Sequence, residues 1–202
     1  MTPVHKPQKE NVTIGVLAVQ GAFIEHEAML KGIGVDVKEV RVPGHLDGTD
    51  GLVVPGGEST TISKLIDIYE LRQPIIERAR KGFPIWGTCA GMILLAKHLA
   101  GNSVQPLGLM DMTVVRNAFG RQVDSFEADL DVKGLRDGPF TAVFIRAPVI
   151  VSVGESVDVL AALPDGRPVA VRQGRLLATA FHPELTSDTR FHRYFADMVK
   201  EN

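Results

Sequence analysis

Apolar residues in this chain come first in short unbroken runs and later in alternation with polar ones. Residues 12–19 (VTIGVLAV) form a continuous β-branched run that ends at Gln20-Gly21 and precedes a helix-like segment at 23–31. Short apolar runs of this kind, each followed by a helical pattern, are expected of strands buried on both faces. The pattern recurs at 35–42, at 51–54 (GLVV) before a helix from about 60 to 69, and at 83–86 before a helix from about 90 to 98. Such alternation predicts an α/β fold, an open, mostly parallel sheet with helices on both faces.

Beyond Gly101 the texture changes. Strands are predicted at 112–116, 123–130, 142–146, 157–160, 169–172 and 176–181, separated by turns such as Pro164-Asp165-Gly166 and Gln173-Gly174. A last helix, at about 189–199, carries Phe191, Tyr194, Phe195 and Met198 at helical spacing, the stripe of a helix docked on a core. There is no internal repeat or low-complexity linker. The polar residues 1–11, with two prolines, read as a frayed tail before a single domain at 12–202.

Composition narrows the function classes. With 202 residues, 45% hydrophobic and 23% charged, the chain is ordinary globular protein. A net charge of −2 supplies no basic footprint for nucleic acid. The N-terminal residues lack the apolar core of a signal peptide, and the apolar stretch 92–96 falls far short of the ~20 residues that cross a bilayer. One cysteine permits no intrachain disulfide, which fits a reducing cytoplasm.

That cysteine lies in Gly87-Thr88-Cys89-Ala90-Gly91, a G-x-C-x-G sequence at a predicted strand-to-helix junction. A nucleophile elbow has this form, with glycines where a β-carbon would strike neighbouring backbone. The following helix directs N–H groups and its positive dipole end toward the sulfur, favouring thiolate. A free cysteine is otherwise a small buried side chain, so the reading needs a base. Among the six histidines, His5 lies in the tail, His45 in a loop, and His26, His98 and His192 in predicted helices. His182 follows a strand and begins His182-Pro183-Glu184; proline favours extended backbone at 182, so Glu184 is expected on the same side, orienting the imidazole. No second histidine or cysteine at ligand spacing suggests a metal.

Residues 53–61 (VVPGGESTT) leave a strand through two glycines and enter a helix with Ser59 or Thr60 as its expected N-cap. A Gly-Gly turn can aim N–H groups at an oxyanion, or serve only as a connection; a phosphate loop is excluded because the Lys-Ser/Thr pair is missing. Glu58 can meet an ammonium group. Arg116, Arg121 and Arg146 sit near predicted strand ends, where an arginine fork can meet a carboxylate or simply face solvent.

Taken together, GTCAG, PGGEST and HPE resemble the class I (triad) glutamine amidotransferases. The blocks IGVLAVQGAFIEH (14–26), GTCAGMILLAK (87–97), RNAFGRQVDSFEADL (116–130), FIRAP (144–148) and FHPELT (181–186) are similar to the glutaminase-subunit family of pyridoxal 5′-phosphate synthases. Met92, three residues after the cysteine where many triad amidotransferases have glutamine, agrees with that branch. The resemblance implies a flavodoxin-like sheet and hydrolysis of L-glutamine to glutamate and ammonia. It implies Cys89 as nucleophile, His182 as base and acid, Glu184 as orienter, and N–H groups of Gly57 and Ala90 as oxyanion donors. Gly57, Glu58, Ser59, Arg116, Ile145 and Arg146 match glutamine-contacting positions. No cofactor is implied. The implied partner is a (β/α)₈-barrel synthase subunit in a dodecameric core, which receives the ammonia.

Overall fold

A computed structural model of the protein describes residues 11–101, 104–116 and 125–201. The first ten residues of the expected tail, Arg121, and the start of the strand expected at 123 lie outside them. The chain runs β1 (Thr13–Leu17), α1 (Phe23–Gly32), β2 (Asp36–Val40), β3 (Gly51–Val54), α2 (Ser59–Ile68), α3 (Arg72–Arg80), β4 (Ile85–Thr88) and α4 (Ala90–Leu95). It continues through β5 (Ala96–Ala100), β6 (Met110–Val115), β7 (Ser125–Leu130), β8 (Phe140–Ile145) and β9 (Val149–Val153). The last elements are β10 (Asp158–Ala162), β11 (Pro168–Gln173), β12 (Leu176–Thr179) and α5 (Arg190–Lys200).

The main sheet has the order β10-β11-β12-β4-β3-β1-β2. Its five strands from β12 to β2 are parallel, and β10 and β11 extend it antiparallel at one edge. Val54 of β3 and Ala178 of β12 both lie level with Gly87 of β4, so the three strands end on one edge of the sheet. The segments that leave there carry Gly56 and Gly57, Cys89, and His182. Open parallel sheets bind ligands at this carboxyl edge.

Side chains alternate across the sheet and sort the helices. Trp86 points toward α1 and α5, where its ring lies 5.4 Å from His26 and 5.6 Å from Phe195. On the other face α4 rests directly on the strands: a β-carbon at Gly91 would stand 1.9 Å from the Val54 carbonyl oxygen, and one at Gly87 2.5 Å from Gly91 backbone. Both glycines of G-x-C-x-G are therefore required by close backbone approach. In α5 the expected stripe is buried at Phe191, Phe195 and Met198, while Tyr194 is half-buried and accepts a hydrogen bond from Arg172.

Two further sheets, β5-β6-β9 and the β7-β8 hairpin, cover the later part of the chain. Phe140 and Phe144 of β8 pack on Phe181, and the His182 N–H donates to the Val143 carbonyl at 2.8 Å, so the hairpin is bound to the His182 segment. The helix expected at 90–98 stops at Leu95. Ala96–Ala100 pairs with β6 instead, placing His98 on a strand opposite Thr113. The helix α3 and strand β9 were not expected from the pattern. No helix among the described residues is long and apolar enough to cross a membrane.

Candidate active site

Cys89 occupies the turn between β4 and α4 with φ 47° and ψ −102°. Positive φ is unfavourable for a residue with a β-carbon, and it turns the side chain out of the strand direction. The Cys89 N–H donates to the Thr179 carbonyl of β12 at 2.8 Å, which holds the turn. Its sulfur lies 3.9 Å from the Ile145 carbonyl oxygen.

His182 is at φ −107° and ψ 85°, out of the α region that proline disfavours for its predecessor but short of fully extended backbone. Pro183–Leu185 then form a single 3₁₀ turn, so Glu184 reaches the imidazole around a turn and not, as expected from sequence, along an extended chain. Its Oε1 stands 2.7 Å from His182 Nδ1, and Cys89 also acts on the ring. All three side chains are largely buried.

Burial alone would favour neutral His182, but hydrogen bonds and charge interactions with Cys89 and Glu184 outweigh it and raise the imidazole to about 10. Burial likewise opposes charge on Glu184, and the His26 and His182 rings outweigh it, holding the carboxyl below its ordinary value. An ionised Glu184 can only accept, which puts the His182 Nδ1 proton on the line to Oε1 and leaves Nε2 for the sulfur.

Above the cysteine opens a cavity of about 430 Å³. Gly57 and Ala90 line it beside Cys89 and His182. Ser59, Ile145 and Arg146 line it too, and Arg146 itself has φ 42°, a second strained residue at the site. Glu58 and Arg116 add opposite charges to the lining, Arg116 Nη2 lying 3.4 Å from Glu58 Oε1. The expected N-cap is corrected: Glu58, not Ser59 or Thr60, caps α2. Its carboxylate accepts from the Thr60 N–H at 3.1 Å, the Thr61 N–H at 2.6 Å and the Thr61 hydroxyl at 2.7 Å. Although desolvation acts the other way, these donors lower the carboxyl to about 2.

Sequence reasoning missed Gln20 and Ile93, which also line the cavity. Gln20 Oε1 accepts the Glu58 N–H at 2.9 Å and so holds the Gly-Gly turn from the end of β1. It also missed His26, Thr88 and His192, buried behind Glu184. The first and last look like interior helix positions, and nothing local in the sequence points them at the carboxylate.

The sequence profile of the SNO glutamine amidotransferase family matches residues 16–201. The chain belongs to this family. Within it, the chain is 64% identical over 187 residues to the pyridoxal 5'-phosphate synthase subunit PdxT of Herpetosiphon aurantiacus, covering 91% of this chain and 98% of that one. It is 60% identical over 189 residues to the subunit PdxT of Dehalococcoides mccartyi strain CBDB1, covering 93% and 97%. A crystal structure of a glutamine amidotransferase superposes with a TM-score of 0.87 at 54% identity, covering 92% and 98%. The part matched to the SNO glutamine amidotransferase family includes every residue of the site just described.

Proposed function

We propose that this chain is the glutaminase subunit of a pyridoxal 5′-phosphate synthase, hydrolysing L-glutamine to L-glutamate and ammonia through Cys89, His182 and Glu184. The observation that carries the reading is the Glu184–His182 hydrogen bond beside Cys89, at a cavity whose lining includes the Glu58 carboxylate and the Arg116 guanidinium. Glutamine carries an ammonium and a carboxylate at one end and a neutral amide at the other. Glu58 and Arg116 match the first two, and the amide is left for the sulfur.

In this mechanism the proton shared by Cys89 and His182 rests on the imidazole, and the Cys89 thiolate attacks the side-chain amide carbon. The N–H groups of Gly57 and Ala90 stabilise the tetrahedral oxyanion. His182 gives its proton to the departing nitrogen, ammonia leaves, and a thioester remains on Cys89. Water, deprotonated by His182, then attacks the thioester; glutamate is released and the thiol is restored. Glu184 orients the imidazole and stabilises its charge. No cofactor enters these steps.

Ammonia would be protonated and diluted in bulk water, so a synthase that uses it must collect it from a docked subunit. The names of the similar proteins, synthase subunits PdxT, support that partnership. In this reading the partner is a (β/α)₈ barrel in a dodecameric core, the complex works in the cytoplasm, and docking raises glutaminase activity. The test is glutamate release from L-glutamine by the chain mixed with its synthase subunit, beside the chain alone and Cys89→Ala. Release in the wild-type mixture that the substitution abolishes is expected. Equal release by Cys89→Ala, or none with the synthase subunit present, overturns the reading.

A further inference from the structure

Behind the His182–Glu184 pair lies a second, fully buried arrangement that the mechanism above does not use. Glu184 holds His182 through Oε1 only; its Oε2 is also buried and makes no well-aligned hydrogen bond. His26 Nε2, from α1, lies 3.3 Å from that oxygen and 3.1 Å from the Thr88 hydroxyl. On the other side of the same ring, His26 Nδ1 lies 3.0 Å from Nε2 of His192 on α5. The Thr88 hydroxyl in turn accepts the Gly56 N–H at 3.0 Å.

The proton positions follow from what each atom can offer. Placing the His26 proton on Nδ1 would set the bare lone pair of Nε2 against a carboxylate oxygen and leave the buried Oε2 without a donor, an arrangement costly in a dry interior. With the proton on Nε2, the N–H faces two acceptors, Oε2 of Glu184 and the Thr88 oxygen. His26 Nδ1 must then accept, so His192 donates from its own Nε2. The remaining His192 Nδ1, which is buried without a partner, is then only an unpaired acceptor and not an orphaned N–H.

We propose that His26 is a positioning residue for this reaction: its Nε2–H holds Oε2 of Glu184, opposite the oxygen that holds His182, and His192 keeps His26 in that tautomer. A carboxylate hydrogen-bonded at one oxygen, with the His26 N–H edge 3.3 Å from the other, resists swinging about its terminal bond, and the imidazole it orients keeps its alignment with Cys89. Through Thr88 the same ring is tied to Gly56, next to the proposed oxyanion donor Gly57. His26 and His192 are both held neutral, His26 by burial against the pull of Glu184 and His192 by burial and by His26, which lowers it to about 2. The other charged groups acting on His26 are His182 and, on its own helix, Glu25.

The inference rests on the proposed triad, and the test separates the two. His26→Gln places an amide N–H where Nε2 was, and His26→Asn places one only where Nδ1 was; both are polar and smaller than the imidazole. In the complex with the synthase subunit, His26→Asn is expected to lower kcat by about tenfold to a hundredfold with KM for glutamine within about twofold, as a misaligned catalytic group does. His26→Gln is expected to restore most of that loss. Equal kcat in the two variants, or an effect confined to KM, overturns the proposal. Because either variant could fold poorly, the ring ¹⁵N–¹H spectrum of the wild-type chain is the second measurement: a proton on His26 Nε2 supports the proposal and one on Nδ1 overturns it. Alkylation of Cys89 by iodoacetamide tests the triad alone. A wild type no faster than His182→Asn sinks the triad reading itself, whereas a fast wild type with His26→Asn and His26→Gln alike in kcat sinks only the role of His26.

Discussion

Cys89, at φ 47° and ψ −102°, sits in a region that costs a residue with a β-carbon about 1–3 kcal/mol. Its neighbours hold it there: the Thr179 carbonyl takes its N–H, and Gly87 and Gly91 let α4 lie against the strands. The thiol thus stands beside His182, whose imidazole is raised from the ordinary 6.5 to about 10. A folded group that binds its proton more tightly than the unfolded one contributes stability that is complete below the unfolded value and lost as pH rises through the folded one. The stability margin of wild type over His182→Asn is therefore expected to be full below about pH 6.5 and to shrink as pH rises through about 10. Urea unfolding of both proteins across that range measures it, and a margin that grows with pH would contradict the assignment. Cys89, His182 and Glu184 were legible in the sequence because an elbow and an H-P-E triplet are local patterns. His26 and His192 were not, because the two meet from helices more than a hundred residues apart in the chain and only His26 touches Glu184.

The helix α2 shows how one residue serves both an element and a site. Glu58 caps it with a carboxylate that takes two backbone N–H groups, and the same carboxylate faces Arg116 at the cavity wall. Loss of an N-cap side chain costs about 1 kcal/mol, so Glu58→Ala is expected to lower stability by about that amount at neutral pH while raising KM for glutamine. Since the carboxyl is lowered from 4.5 to about 2 in the fold, the cap's contribution is present above about pH 4.5 and fades as pH falls toward 2. Thermal melts of the two proteins at pH 7 and pH 3 read this; a difference that widens at pH 3 has the wrong sign. The cap was missed in the sequence because serine and threonine are the commoner caps. The end of α4 was missed for another reason: residues 96–100 become a strand only through pairing with β6, a contact with no local signal.

At the scale of the molecule, the site depends on both layers that sandwich the main sheet. On one face, α5 buries Phe191, Phe195, Met198 and Val199 against the sheet beneath Trp86. Phe195→Ala leaves a cavity beside Trp86 and is expected to cost about 3–5 kcal/mol. Trp86 is the only tryptophan, so its fluorescence in a denaturant titration reports this loss directly; a cost under about 1 kcal/mol would mean that α5 is not held by that contact. The apolar runs by themselves determined the parallel strands, their following helices and the α/β class, because strands buried on both faces must be continuously apolar and the period distinguishes them from helices. The motifs by themselves singled out Cys89, His182 and Glu184 as the proposed nucleophile, base and orienter, because the chemistry demands those residue types beside glycine and proline. Tertiary structure alone decided the order of the strands, the antiparallel edge, the strand made from residues 96–100 and the contact of His26 with Glu184. Each of these is set by groups distant in sequence that must satisfy one another's hydrogen bonds out of water, and no local pattern encodes which distant partner will be there.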